Sequence, residues 1–230
     1  MKKIKIYDEA AYLLAIVLLA FAVAMISTTG FGLSMIVSPA YILSEKVSFL
    51  TFGQSEYVVQ GVMFVVFCIL MKKIKIVYFS SFVSGLIYGA VLDMWRVVIP
   101  HFNPEITPVG SLPIGLRIIY FVVGMLLTSF TIAVFFNVYP HPQIYDFFVK
   151  GVSEKFGIKQ SRFKTAYDIS FLLISVVMSL VLFGKFVGVG IGTLIMAVCN
   201  GSIIGFFNKL FDKFFIFEPR FKKFSKHFEL

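Results

Sequence analysis

Six apolar stretches dominate the chain, at about 10–37, 56–71, 76–95, 114–138, 167–184 and 187–208. Most approach or exceed the roughly 17–25 residues that an α-helix needs to cross the hydrocarbon core of a bilayer. In lipid, every backbone N–H and C=O must be satisfied internally, so stretches of this length and apolarity are read as helices. Composition agrees, with 59% hydrophobic and only 14% charged residues, against roughly 45–50% and 25% in a soluble domain. The expected fold is an all-α membrane protein, residues 1–230 forming one membrane domain with six transmembrane helices.

The connectors set the topology. Lys72-Lys73-Ile74-Lys75 reads as a tight hairpin at the membrane surface, and Gly184-Lys185 as a second tight turn. Lys2, Lys3 and Lys5 followed by an apolar run to Ala22-Val23-Ala24 imitate a signal peptide. The run continues past Ala24 and Asp8-Glu9 interrupt the basic region, so an uncleaved first helix is expected. With the N-terminus inside, segments 1–9, 72–75, 139–167 and 209–230 carry 17 of the 21 Lys and Arg. The outside keeps only Lys46, Arg96, Arg117 and Lys185, which predicts that both termini are cytoplasmic.

The halves also echo one another. Aligned on Pro39 and Pro142, Thr28 meets Thr131, Gly30 meets Ala133 and Ser34 meets Asn137. Each proline opens a short helix, with Ser38 as a good cap before one. F-G-Q-S (52–55) and F-G-I-K-Q-S (156–161) then lead into the next apolar segment. Further on, Gly85 and Gly89 align with Gly201 and Gly205, each pair a G-x-x-x-G that permits close helix approach in lipid. Residues 10–105 and 113–212 are therefore read as two three-helix repeats, followed by a basic-aromatic cytoplasmic tail, 213–230. An odd number of helices per copy makes the repeats inverted, an organisation shared by many secondary transporters.

The pattern G-F-G-L-S-M-I-V-S-P-A-Y-I-L-S-E-K, the later F-G-Q-S and G-L-I-Y-G-A-V-L-D-M-W resemble the YczE/YyaS/YitT group of bacterial integral membrane proteins. The short basic tail makes the chain more like YczE-type members than YitT-type ones, which carry a soluble C-terminal domain. The resemblance implies a multi-pass protein of the bacterial inner membrane and suggests transport; it carries over no catalytic residue.

Polar groups inside apolar segments are the candidates for chemistry. Glu56 opens the second helix and is read both as a first-turn carboxylate and as a cavity residue. Asp93 lies near Trp95 and Arg96, and Asp168 lies deeper in the fifth helix. Thr28, placed mid-helix, and its counterpart Thr131 could either bond back to their own backbone or face the repeat interface. Ser34, Gln54, Gln60, Asn137 and Asn200 complete the substrate-binding candidates, the amides serving as interhelical bridges or solute contacts.

Nothing in the sequence points to an enzyme or a cofactor. His101, His141 and His227 show no ligand spacing, Cys68 and Cys199 read as packing residues, and no nucleotide or nucleophile motif is present. V-G-V-G-I-G-T (187–193) is assigned to helix packing rather than to phosphate binding. The tail's alternating Lys/Arg and Phe fits an anionic lipid surface better than nucleic acid. The expected partners are therefore the bilayer, its anionic cytoplasmic lipids, a small-molecule solute and a second copy of the chain. The leading functional expectation is a small-solute transporter with alternating access between the repeats. Two alternatives stay open: a non-transporting scaffold, and the membrane substrate-binding subunit of a larger importer.

Overall fold

The computed structural model describes residues 3–225. A short strand, β1 (Ile4–Tyr7), leads into α1 (Asp8–Ser27), α2 (Ser38–Lys46), α3 (Phe52–Met71), α4 (Ile76–Val98) and a 3-10 turn at Pro100–Phe102. Then come α5 (Ile114–Asn137), α6 (Ile144–Phe156), α7 (Gln160–Phe183), α8 (Ile191–Phe214), β2 (Phe215–Glu218) and the single turn α9 (Lys222–Ser225). Six helices, α1, α3, α4, α5, α7 and α8, are long and apolar enough to cross a bilayer, as a multi-pass membrane protein requires. The short helices α2 and α6 follow α1 and α5.

The first helix is shorter than its apolar run. Instead of reaching residue 37, α1 ends at Ser27, so Thr28 sits at its end and not in its middle. The hydroxyls of Ser27, Thr28 and Thr29 each donate 2.8 Å bonds to the carbonyl three residues back, tightening the final turn. Gly30 and Gly32 then adopt φ of 69° and 96°, a left-handed backbone that favours glycine. Residues 33–37 follow as irregular chain and turns, with Leu33 buried and the rest half-buried. Helix α8 is shifted along its apolar run: it starts at Ile191, not 187, where Gly188 is left-handed (φ 71°), and it continues to Phe214. The Gly188 carbonyl accepts from Leu33 N–H (2.9 Å) and the Ser38 hydroxyl (3.0 Å).

The most extensive helix contact is between α1 and α5, with α4 packed on α1 and α8 on α5. Helix α2 wedges between α3 and α7, and α6 between the same two helices. At its last residue, Lys46 of α2 donates to the Leu182 carbonyl at the end of α7 (3.0 Å). Near the end of α6, Lys155 donates to the Leu70 carbonyl at the end of α3 (2.7 Å). Both lysines satisfy carbonyls that a helix end leaves open. The start of α6 lies much deeper. Gln143 meets Gln60, ten residues or about 15 Å along α3 from Leu70. Thus α6 runs beside α3 from one end of the bundle into its middle. Aromatic side chains hold it there, Phe67 of α3 lying 5.2 Å from Phe147.

The otherwise helical fold carries one small sheet, at its termini. β1 and β2 pair in parallel, Ile4 opposite Phe215 and Tyr7 opposite Glu218. The Lys5–Glu218 ion pair (3.0 Å) crosses this sheet, and Glu9 accepts from the N–H groups of Arg220 and Phe221 (3.1 and 3.0 Å). The part of the tail at 213–225 is thereby tied to the chain's own N-terminus; residues 226–230, with His227, lie outside the described residues. Pairing between two four-residue strands over 200 residues apart leaves no local periodicity in the sequence to find.

Candidate functional site

The site is built where α6 starts against the first half of α3. Helix α3 begins with a reciprocal cap: Gln54 N–H donates to the Thr51 hydroxyl (3.1 Å) and Thr51 N–H to Gln54 Oε1 (3.0 Å). Asp93 reinforces this start, accepting from Gly53 N–H at 2.8 Å and from the Thr51 hydroxyl. A helix started there places Glu56 and Gln60, four residues apart, on one face. That face meets α6. Gln60 Nε2 donates to Glu56 Oε2 (3.1 Å) and to Gln143 Oε1 (3.2 Å). The Tyr145 hydroxyl donates to the same Glu56 Oε2 (2.9 Å).

These groups are in the interior: Glu56 is 0% exposed, Gln60 1% and Tyr88 1%. Burying a carboxylate is costly unless charge and hydrogen bonds compensate it. Two donors serve Glu56 Oε2, but Glu56 Oε1, Gln60 Oε1 and the Tyr88 hydroxyl have no hydrogen-bond partner. None of the ion pairs among the described residues involves Glu56. Burial and the neighbouring Glu56 push the Tyr145 phenol well above its ordinary range, which keeps it a donor. Burial, with the charge of Lys150, lowers the His141 imidazole to about 4, so this ring beside the site is neutral at physiological pH.

Against this network lies a small cavity of about 70 Å³, whose lining includes Ser34, Tyr88, Thr128, Gln143, Tyr145 and Asp146. The starts of α2 and α6 both lie close to it, so the partly positive ends of two short helices converge on the interior. Through Ser34, Thr128, Asp146 and Met196 the cavity adjoins a groove of about 360 Å³ between α7 and α8. Asp146 also borders a cleft of about 460 Å³ at the end of the bundle that holds the termini. Lys164 bridges Asp146 (3.1 Å) and Asp168 (3.2 Å) at the groove. Among the described residues no three His, Cys, Asp or Glu side chains are grouped to hold a metal ion.

The sequence matches the model of the family of unknown function DUF6198 over residues 6–209. The chain belongs to this family. The match covers the six long helices up to the last turns of α8, and nothing in it ties the chain to the YczE/YyaS/YitT group specifically. No curated protein and no solved structure matches.

In this DUF6198 protein the candidate residues separate into groups. Glu56 and Gln60 form the buried network, Ser34 lines both cavity and groove, and Asn200 and Asp168 line the groove. Gln54 and Asp93 cap α3 at the far end of the bundle from the termini. Thr28 and Thr131 bond back to Met25 and Thr128 carbonyls, both at 2.8 Å, and line neither cavity nor groove. Asn137 bridges α5 to α8 through Asn208 (2.9 Å). Lys164, in the second turn of α7, lies against Asp146 of α6. Tyr88, Gln143, Tyr145, Asp146 and Lys164 were not among the candidates. For Gln143, Tyr145 and Asp146 the run H-P-Q-I-Y-D (141–146), polar and aromatic directly after a spanning helix, was the available signal.

Proposed function

We propose that this DUF6198 protein is a small-solute transporter of the bacterial inner membrane that works by alternating access, with its solute bound at the Glu56–Gln60–Gln143–Tyr145 network. One observation carries the proposal: a fully buried carboxylate, with one oxygen unpartnered, sits beside a cavity where two short helices start. Interrupted elements whose helix ends meet polar groups near the middle of a bundle are a recurring transporter design. The two halves are inverted copies. In support, α1 carries α4 as α5 carries α8, and the short helix of each half packs on the long helix that follows it and on its counterpart in the other half. Lys46 and Lys155 cap opposite partners in the same way. With the basic connectors inside, both termini face the cytoplasm.

The test is uptake into reconstituted vesicles across a panel of small solutes, with Glu56→Gln as the comparison. Flux that depends on Glu56 is the expected result. No flux for any solute, together with no solute-dependent shift in melting, would remove transport and favour the scaffold alternative.

A further inference from the structure

The central cavity communicates with the side of the bundle. Helix α3 packs along α4, but α7 makes no comparable contact with α8, and the groove occupies the gap between them. Its walls are apolar: Ile132 and Phe136 from α5, and Met196, Ala197 and Ile204 from α8. Ala197 and Gly201 are exposed at its edge, so it opens sideways at the depth of the acyl chains. A volume of about 360 Å³ falls within the roughly 300–1,000 Å³ typical of small-molecule sites. One end is polar, where Asp146, Lys164 and Asp168 meet. One lysine between two aspartates leaves one formal negative charge, and at this depth an uncompensated charge is costly. The Tyr88 hydroxyl, 1% exposed and without a partner, lines the adjoining cavity and offers a polar contact further in.

We infer that the solute is an amphipathic organic cation that enters from the bilayer between α7 and α8, its alkyl chain in the groove and its ammonium head at Asp146 and Asp168. The inference rests on the transport proposal above and names the class of solute. Charge complementarity selects the head: an ammonium balances the cluster, whereas a sulfate or phosphate head would add to its negative charge. The apolar walls select the chain, since a compact hydrophilic cation would leave them unfilled.

Binding is measured on the full chain in a neutral, sugar-headed detergent, by saturable shift of the melting midpoint. The probes are decyltrimethylammonium, decyl sulfate (same chain, opposite head) and tetramethylammonium (same head, no chain). Decyltrimethylammonium alone should stabilise the protein. Asp168→Asn should weaken its binding about tenfold, as expected for removal of one partly buried charge partner. Gly201→Trp should abolish binding by filling the groove. Nothing lies within 4 Å of the position of a Gly201 Cβ, so the new side chain starts in open space. Val198→Phe on the exposed face of α8 should leave binding intact. Equal stabilisation by decyl sulfate, or decyltrimethylammonium binding unchanged in both groove variants, overturns the inference. So does uptake of a water-soluble solute by a protein that ignores decyltrimethylammonium, an outcome that leaves the transport proposal standing.

Discussion

Helices α4 and α8 carry the same G-x-x-x-G at matching places in the two halves, and the two motifs have opposite surroundings. A Cβ on Gly85 would collide with the Gln60 side chain, and one on Gly89 with Tyr57 and the Gly53 carbonyl. A Cβ on Gly201 or Gly205 would meet nothing within 4 Å. In the first half the absent side chains let α3 lie directly on α4 and carry Gln60 to Glu56 and Gln143. In the second half the same small face borders the groove. The glycines record where a helix can be approached closely, and the packing around them decides whether that face is closed or open. On the proposed inverted-repeat reading, such a closed face and open face are what two alternating states of one interface would look like.

Substitutions at these glycines should separate the halves most strongly. Gly89→Val drives a side chain into the Gly53 backbone and should cost about 1–3 kcal/mol or prevent folding. Gly205→Val should stay within about 0.5 kcal/mol. Thermal unfolding in detergent compares the two, and equal losses would mean that the second face is closed as well. The acidic groups should differ next. Glu56→Leu removes the acceptor shared by Gln60 and Tyr145, leaves the buried Tyr145 hydroxyl without it, and should destabilise by about 1–3 kcal/mol. Asp168→Asn removes half of a partly exposed pair, with side-chain exposures of 33% and 21%, and should cost about 0–1 kcal/mol.

Smaller effects test the resemblance between the halves rather than their difference. Lys46→Met and Lys155→Met each remove a cation from another helix's last carbonyls and should cost similar amounts, about 0.3–1 kcal/mol. A large loss from one alone would break the correspondence. The smallest is a pH effect at His141. Its imidazole stays neutral in the folded protein down to about pH 4, while in the unfolded chain it takes a proton near its ordinary value of roughly 6.5. The unfolded state therefore binds more protons between these values, and stability falls as pH drops from about 6.5 to 4. His141→Gln should lack that part of the decline, so its stability relative to the parent should rise as pH drops from about 6.5 to 4.

The spans and hairpins were legible because apolar length and basic connectors are local signals. The end of α1 was not: Thr28, Thr29 and Gly30 sit inside a continuous apolar run, and hydroxyls bonding back to a helix do not interrupt hydropathy. The F-G pairs misled in a related way. Phe52 opens α3, whereas Phe156 closes α6 with Gly157 as its left-handed cap, so one phrase does two jobs. Pro142 announced a short helix but not its depth, which depends on Gln60 and the aromatic residues of α3. For the same reason Glu56 and Gln60 could be named from sequence, while Gln143 and Tyr145, their partners 83 and 89 residues away, could not.

Ser34 offers the most direct test of alternating access, because it lines both the central cavity and the groove. The free cysteines Cys68 and Cys199 are first replaced by alanine, Ser34→Cys is introduced, and a membrane-impermeant thiol reagent is applied to one side of oriented vesicles at a time. Labelling from each side, weakened from both when Glu56→Gln is added, is the expected result. Labelling from one side only, or from neither, would contradict a central site that opens alternately to the two faces of the membrane.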